Sequence, residues 1–214
     1  DLNANLYLYE KNFEFFADEL GDKAAAKRWA RKAKDRKKLI RKYCRDPRNG
    51  MYYDYDYVNG KRSDVVSAAV FSLLYAGAVP IKDAPGIVRA LDALEFPHGI
   101  AACENKDYPY AYQWSYPNGW APLHFLAIKG LDNYGFREDA RRIASKYAAT
   151  VIRNFQKTRN LWEKYNVVEG NINVSNEYEM PAMLGWTAGT FICLDDYLAG
   201  EMQPDPLPSE YMSY

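Results

Sequence analysis

Apolar residues return every three or four positions along most of this chain, and no long run alternates apolar with polar. That spacing gathers the apolar side chains of each segment on one face of a helix, so an all-α fold is expected. Leu2, Leu6, Tyr9, Phe13, Phe16 and Leu20 form such a face for a first helix that Gly21 ends. Asp22 can cap a second helix with Ala26, Trp29, Ala33, Ile40 and Tyr43 inside and a Lys and Arg run from Lys27 to Lys42 facing solvent. Asp46-Pro47-Arg48-Asn49-Gly50 reads as a turn and Met51 to Tyr57 as a short extended segment. A third helix is expected from about Val65 to Ala78, and a shorter one from about Ala84 to Leu94. Trp120, Leu123, Ala127, Leu131 and Tyr134 make the next stripe, followed by Ala140, Ala144, Tyr147, Val151 and Phe155. A last helix is expected over about Pro181 to Leu198. Paired helices with long loops at one end fit an α/α toroid and a helical-repeat scaffold equally well. A scaffold of tetratricopeptide type would repeat at about 34 residues, and the first helix pair has no second copy.

The charge balance narrows the partners. Lys plus Arg and Asp plus Glu number 28 each, for a formal net charge of zero, whereas nucleic acids and anionic membranes call for a basic surplus. No apolar run is long enough to span a bilayer. Cys44, Cys103 and Cys193 stand far apart and the only histidines are His98 and His124, so neither a disulfide framework, a zinc site nor another cofactor is indicated. Asp1 cannot follow directly from a start codon, so the chain is expected to be a piece of a longer protein. Residues 1–200 read as one domain portion and 201–214 as a Pro-rich, extended tail. Asn173-Val174-Ser175 fits the short glycosylation-acceptor pattern.

The segment Gln113-Trp-Ser-Tyr-Pro-Asn-Gly-Trp-Ala-Pro122 is chemically the densest. A helix avoids its Pro and Gly, and a solvated loop avoids its tryptophans, so it reads as a rigid aromatic loop entering a helix. Flat aromatic faces beside amides suit sugar rings, which present C–H faces and a rim of hydroxyls. The competing reading is that Trp114 and Trp120 are buried plugs that wedge a helix start into the core. The 19 tyrosines and 5 tryptophans suit a carbohydrate cleft or simply fill gaps between helices.

These ten residues, with Leu123, Gly130 and Tyr134 after them, resemble a signature of the trehalase family of glycoside hydrolases. Leu161-Trp162-Glu163-Lys164-Tyr165, Asn176-Glu177-Tyr178 and Gly185-Trp186-Thr187-Ala188-Gly189 follow in the family's order, and Asp1-Leu2-Asn3-Ala4 and Tyr53-Asp54-Tyr55-Asp56 also match. The resemblance implies an (α/α)6 toroid of which this chain is the C-terminal half, and inverting hydrolysis of an α-glucosidic bond in trehalose or a related disaccharide. It implies Glu163 as general base, with Gln113, Trp114, Asn118, Glu177 and Trp186 binding the sugar. The family's general acid lies upstream of the stretch that Asp1-Leu2-Asn3 matches, so an upstream segment or a second chain is expected to complete the barrel. Two features depart from the pattern: Ser115 replaces the family's aspartate, and Ile172-Asn173-Val174-Ser175 replaces a glycine-rich run. They keep a non-catalytic carbohydrate-binding relative open as an alternative. Asp54 and Asp56 fall on one side of an extended segment, either as a carboxylate pair or, more simply, as loop-holding hydrogen-bond acceptors.

Overall fold

Asp1 accepts the Leu2 N–H and starts helix α1 (Leu2–Glu19), and Gly21, at φ 80°, reverses the chain into α2 (Lys23–Cys44). Asp22 caps α2 by accepting the Ala25 N–H at 2.9 Å. The computed structural model describes residues 1–106, 110, 112–174, 177–182 and 185–200. The tail 201–214, Ser175 of the acceptor pattern and Asn176 of the Asn-Glu-Tyr motif lie outside the described residues.

The α1–α2 pair is joined mainly away from the face that periodicity picked out, although Phe13 of that face stacks on Trp29 of α2. Leu2, Tyr9, Phe13, Phe16 and Leu20 are exposed, and the buried residues of α1 are Ala4, Tyr7 and Glu10. Small side chains at Ala4, Ala26 and Ala33 allow close approach, and Arg36 closes the seam with a bidentate pair on Glu10 at 2.8 and 2.9 Å. Ala26, Ala33 and Ile40 are buried as expected, whereas Trp29 only stacks on Phe13 and Tyr43 lies half-exposed against Tyr55. The basic run is largely solvated, apart from Arg36, Lys37 and Arg41. Arg41 and the Tyr52 hydroxyl donate to Asp83 at 2.7 and 2.9 Å. Burial alone would raise the Asp83 carboxyl; these donors, with Arg45 nearby, more than reverse that and hold it below the usual range.

A two-stranded ribbon follows, β1 (Tyr55–Asp56) against β2 (Lys61–Arg62). Asp56 spends its carboxylate on the Val58 and Asn59 amides that turn this ribbon, so it serves as the loop-holding acceptor. The third helix is shorter than its pattern suggests: a 3-10 turn, Ala68–Phe71, runs into α3 (Ser72–Tyr75). The next divides at Arg89 and Ala90 into α4 (Ala84–Val88) and α5 (Leu91–Leu94), and the chain turns back through β3 (Glu95–Phe96) and β4 (Gly99–Ile100).

The remaining elements are β5 (Asn118–Trp120), α6 (Ala121–Asn133), α7 (Arg137–Thr158), β6 (Lys164–Asn166) and α8 (Gly185–Ala199). The α6 stripe is buried at Trp120, Ala127, Leu131 and Tyr134, and the α7 stripe from Ala140 to Val151, while Phe155 is 42% exposed. Gly130 lets α6 meet α3: a Cβ there would lie 2.8 Å from the Tyr75 nitrogen. α8 docks on α6 and α7, with Leu194 buried and the Tyr197 hydroxyl donating to Asp132 at 2.9 Å. Ala182, which the sequence pattern placed in this helix, instead bridges to Trp162.

Candidate active site

The start of α6, the end of α7 and the start of α8 meet at one end of the helix stack, where β5 and β6 pair antiparallel. Their register sets Asn118 against Asn166, Gly119 against Tyr165 and Trp120 against Lys164. Gly119 is required there, since a Cβ would run into Val167 and stand 2.8 Å from the Ile100 carbonyl. His124 ties the ribbon to α6: its Nε2 accepts the Ile100 N–H at 2.9 Å and its Nδ1 donates to the Trp120 carbonyl at 2.8 Å. Burial pulls His124 down to about 4, so the imidazole is neutral and the tautomer matches these partners. The two loops flanking the ribbon also join, with His98 donating to the Val167 carbonyl and Val167 to that of Pro117, both at 3.0 Å.

The Gln-Trp loop is rigid because it satisfies its own polar groups. The Gln113 carbonyl accepts from the Asn118 amide at 3.0 Å and from the Trp120 indole at 2.9 Å. Ser115, only 5% exposed, donates to the Tyr112 carbonyl at 2.7 Å, and the Asn118 N–H donates to Ser115 O at 2.9 Å. Ser115 thus works inside the loop. A carboxylate at that position has no proton for the Tyr112 carbonyl and would itself be desolvated. Ser115→Asp is therefore expected to lower the melting temperature, at a cost of about 1–3 kcal/mol for the lost hydrogen bond, and not to raise activity. Thermal melts and initial rates of the two forms check this.

The buried-plug reading holds for Trp120 and not for Trp114. Trp120 is a plug, 1% exposed, whereas Trp114 is 46% exposed and stacks on it at 3.9 Å with the rings 3° from parallel. Trp186, from the first turn of α8, meets Trp120 edge-on at 5.7 Å and is 40% exposed. One buried indole thereby supports two that offer surface to solvent.

Glu163 lies just before β6 and is 6% exposed. Its Oε1 accepts from the Tyr178 hydroxyl at 2.7 Å and its Oε2 from the Lys164 ammonium at 2.7 Å. Lys164, fully buried, also lies over the Trp120 ring at 4.7 Å and the Tyr178 ring at 5.1 Å. The hydrogen bond to Glu163 pushes the Tyr178 hydroxyl up to about 12, so it remains a protonated donor. The Gln113 side chain lies close enough to act electrostatically on the Tyr178 hydroxyl, and its Oε1 is buried with no hydrogen-bond partner. An unpaired buried acceptor is costly, and a ligand hydroxyl is one group that would satisfy it.

Gln113, Trp114, Glu163 and Trp186 thus gather around Trp120. Asn118 sits beneath them, fully buried, shaping the loop with its amide. Glu177 is exposed at the margin, close enough to act electrostatically on Tyr178. Among the described residues no three His, Cys, Asp or Glu side chains converge as metal ligands would. Sequence reasoning missed Lys164 and Tyr178, although each is adjacent to a residue it singled out. A lysine directly after the candidate base, between Trp162 and Tyr165, is the signal that would have found the buried cation.

The family model described as Trehalase matches residues 1–198. Periplasmic trehalase of Salmonella choleraesuis strain SC-B67 is 33% identical over 98% of this chain, and that of Salmonella newport strain SL254 is 34% identical over the same share. The chain spans 37% of the length of each of these relatives. Neutral trehalase of Saccharomyces cerevisiae superposes with a TM-score of 0.80 and 28% identity, over 100% of this chain and 43% of that one. A GH63 mannosylglycerate hydrolase of Thermus thermophilus, at TM-score 0.67 and 18% identity over 90% of this chain and 45% of that one, shares the fold. The helices are accordingly a portion of an (α/α)6 toroid. On the match over residues 1–198, the chain belongs to the trehalase family.

Proposed function

We propose that this chain carries the base and part of the sugar platform of an inverting glycoside hydrolase acting on the α-glucosidic bond of trehalose. The observation that carries the reading is a buried carboxylate, Glu163, held by Tyr178 and Lys164 next to two indoles that offer surface to solvent. Inversion needs a carboxylate that takes a proton from water on one side of the sugar and an acid that protonates the leaving oxygen on the other, roughly 6.5 to 9.5 Å apart. Glu163 fills the first role. A carboxylate offers about four acceptor lobes, and the hydrogen bonds from Tyr178 and Lys164 engage one on each oxygen, which leaves room for the attacking water. Trp114 and Trp186 supply the faces for glucose rings, and Gln113 Oε1 an acceptor for a sugar hydroxyl. Asn118 supports the platform from below, and Glu177 binds at its outer margin.

The acid comes from an upstream segment or a second chain that completes the toroid. The exposed row Leu2, Tyr9, Phe13, Phe16 and Leu20 supports such a neighbour, since apolar faces of that extent on soluble proteins mark contact surfaces. Residues 1–200 form one portion of the catalytic domain.

Product stereochemistry tests the reading. Both anomeric carbons of trehalose are α, so inversion at one gives a β-glucose together with the α-glucose released as leaving group. Proton spectra taken in the first minutes of hydrolysis by the complete protein should show the two anomers in equal amounts. Initial formation of α-glucose alone would mean retention and would remove Glu163 from the role of base. Sugar binding with no turnover would favour the non-catalytic relative.

A further inference from the structure

We infer that Lys164 and Tyr178 are positioning residues for the Glu163 carboxylate, Lys164 as its buried counter-ion and Tyr178 as the donor that fixes its rotation. The inference rests on Glu163 being the base. A fully buried ammonium is tolerated when it is paired and its surroundings are favourable to charge. Lys164 meets both conditions: its ion pair with Glu163 measures 2.7 Å, and the faces of Trp120 and Tyr178 complete its cage. Ring faces attract a cation without competing as proton acceptors of their own. One buried cation is thus matched to one buried carboxylate, which still has free acceptor lobes.

Rotation of the carboxylate is the second matter. The terminal torsion of a glutamate is broad and nearly two-fold, so an unrestrained carboxylate sweeps its lobes through a wide arc. Donors on opposite oxygens, Tyr178 on Oε1 and Lys164 on Oε2, pin it from both ends. A base serves only within hydrogen-bond reach of the proton it takes, and a small misplacement of a reacting group costs up to about 100-fold in rate.

The two residues also differ in a way that makes the inference testable. Tyr178 is 46% exposed, so removing its hydroxyl leaves the core intact, whereas Lys164 is interior and its replacement perturbs packing. The experiment measures kcat and KM for trehalose with the complete protein carrying Tyr178→Phe, Lys164→Arg or Lys164→Met, each with native Glu163 and with Glu163→Gln. Tyr178→Phe should lower kcat about tenfold and Lys164→Met about 100-fold, with KM within about threefold, because aim and not sugar binding is lost. Lys164→Arg, which keeps the charge, should recover part of the loss. With Glu163→Gln already present, the same substitutions should change the residual rate less than about threefold, since residues acting through one carboxylate are not additive. An unchanged kcat for Tyr178→Phe, or equal losses with and without Glu163, would overturn the inference while leaving the base in place. Full activity of Glu163→Gln alone would instead overturn the base assignment and this inference with it. If Lys164→Met does not fold, the Tyr178→Phe cycle decides.

Discussion

Glu163→Gln in the complete protein is expected to lower kcat on trehalose by about 10²- to 10⁴-fold, the usual worth of a general base, with a much smaller change in KM. The amide has the shape of the carboxylate but cannot take the proton of the attacking water. The change also has a structural side. Two donors point at this side chain, Tyr178 and Lys164, and an amide presents an acceptor to only one of them while turning its NH2 toward the other. A buried ammonium is then left without its counter-ion, and breaking such a pair by removing one partner costs about 3–5 kcal/mol. Loss of rate in Glu163→Gln alone therefore mixes chemistry with stability. Glu163→Asp separates them: it keeps the charge beside Lys164, and so most of the melting temperature, while drawing the base back by one methylene. A folded Glu163→Asp protein with a large drop in kcat would locate the effect in the chemistry. A fully active Glu163→Gln protein would take the base role away from this residue.

The helices that periodicity read well are those buried on a broad face. In α6 the stripe from Trp120 to Tyr134 faces the core because α3, α7 and α8 all pack around it. In α1 the same kind of stripe misleads. Periodicity shows that Leu2, Tyr9, Phe13, Phe16 and Leu20 share a face but not what lies opposite, and α2 packs instead through alanines, Tyr7 and the Glu10–Arg36 pair. The β5–β6 ribbon was invisible for a different reason. Three residues on each side are too few to show alternation, and the pairing joins positions about forty-five apart in sequence. The candidate site followed the same division. Motif resemblance singled out Glu163, Gln113, Trp114 and Trp186, which carry their chemistry in their own side chains. Lys164 and Tyr178 gain their roles only from the fold, which turns a cross-strand neighbour of Trp120 and a residue fifteen positions past Glu163 onto the same carboxylate.

Trp120→Ala is expected to be the most damaging change that touches no proposed sugar contact. Trp120 is almost fully buried and is among the largest side chains in the interior, so truncation leaves a cavity and costs about 3–5 kcal/mol. Its particular contacts make the loss wider than packing. Trp114 loses the ring it stacks on at 3.9 Å, Trp186 its edge-on neighbour, Lys164 one wall of its cage, and the Gln113 carbonyl one of its two donors. Trp120→Phe is the informative companion, because it restores an aromatic face for Trp114 and Lys164 but cannot donate to the Gln113 carbonyl. The alanine variant should melt well below the native protein and lose nearly all activity. The phenylalanine variant should recover much of the stability, and its remaining deficit should appear in both KM and kcat, since the Gln113 carbonyl then keeps only the Asn118 amide of its two donors. Measuring melts and steady-state kinetics for both settles whether the buried indole organises the site: native kinetics in a stably folded Trp120→Ala protein would show that the exposed tryptophans and Glu163 are arranged without it.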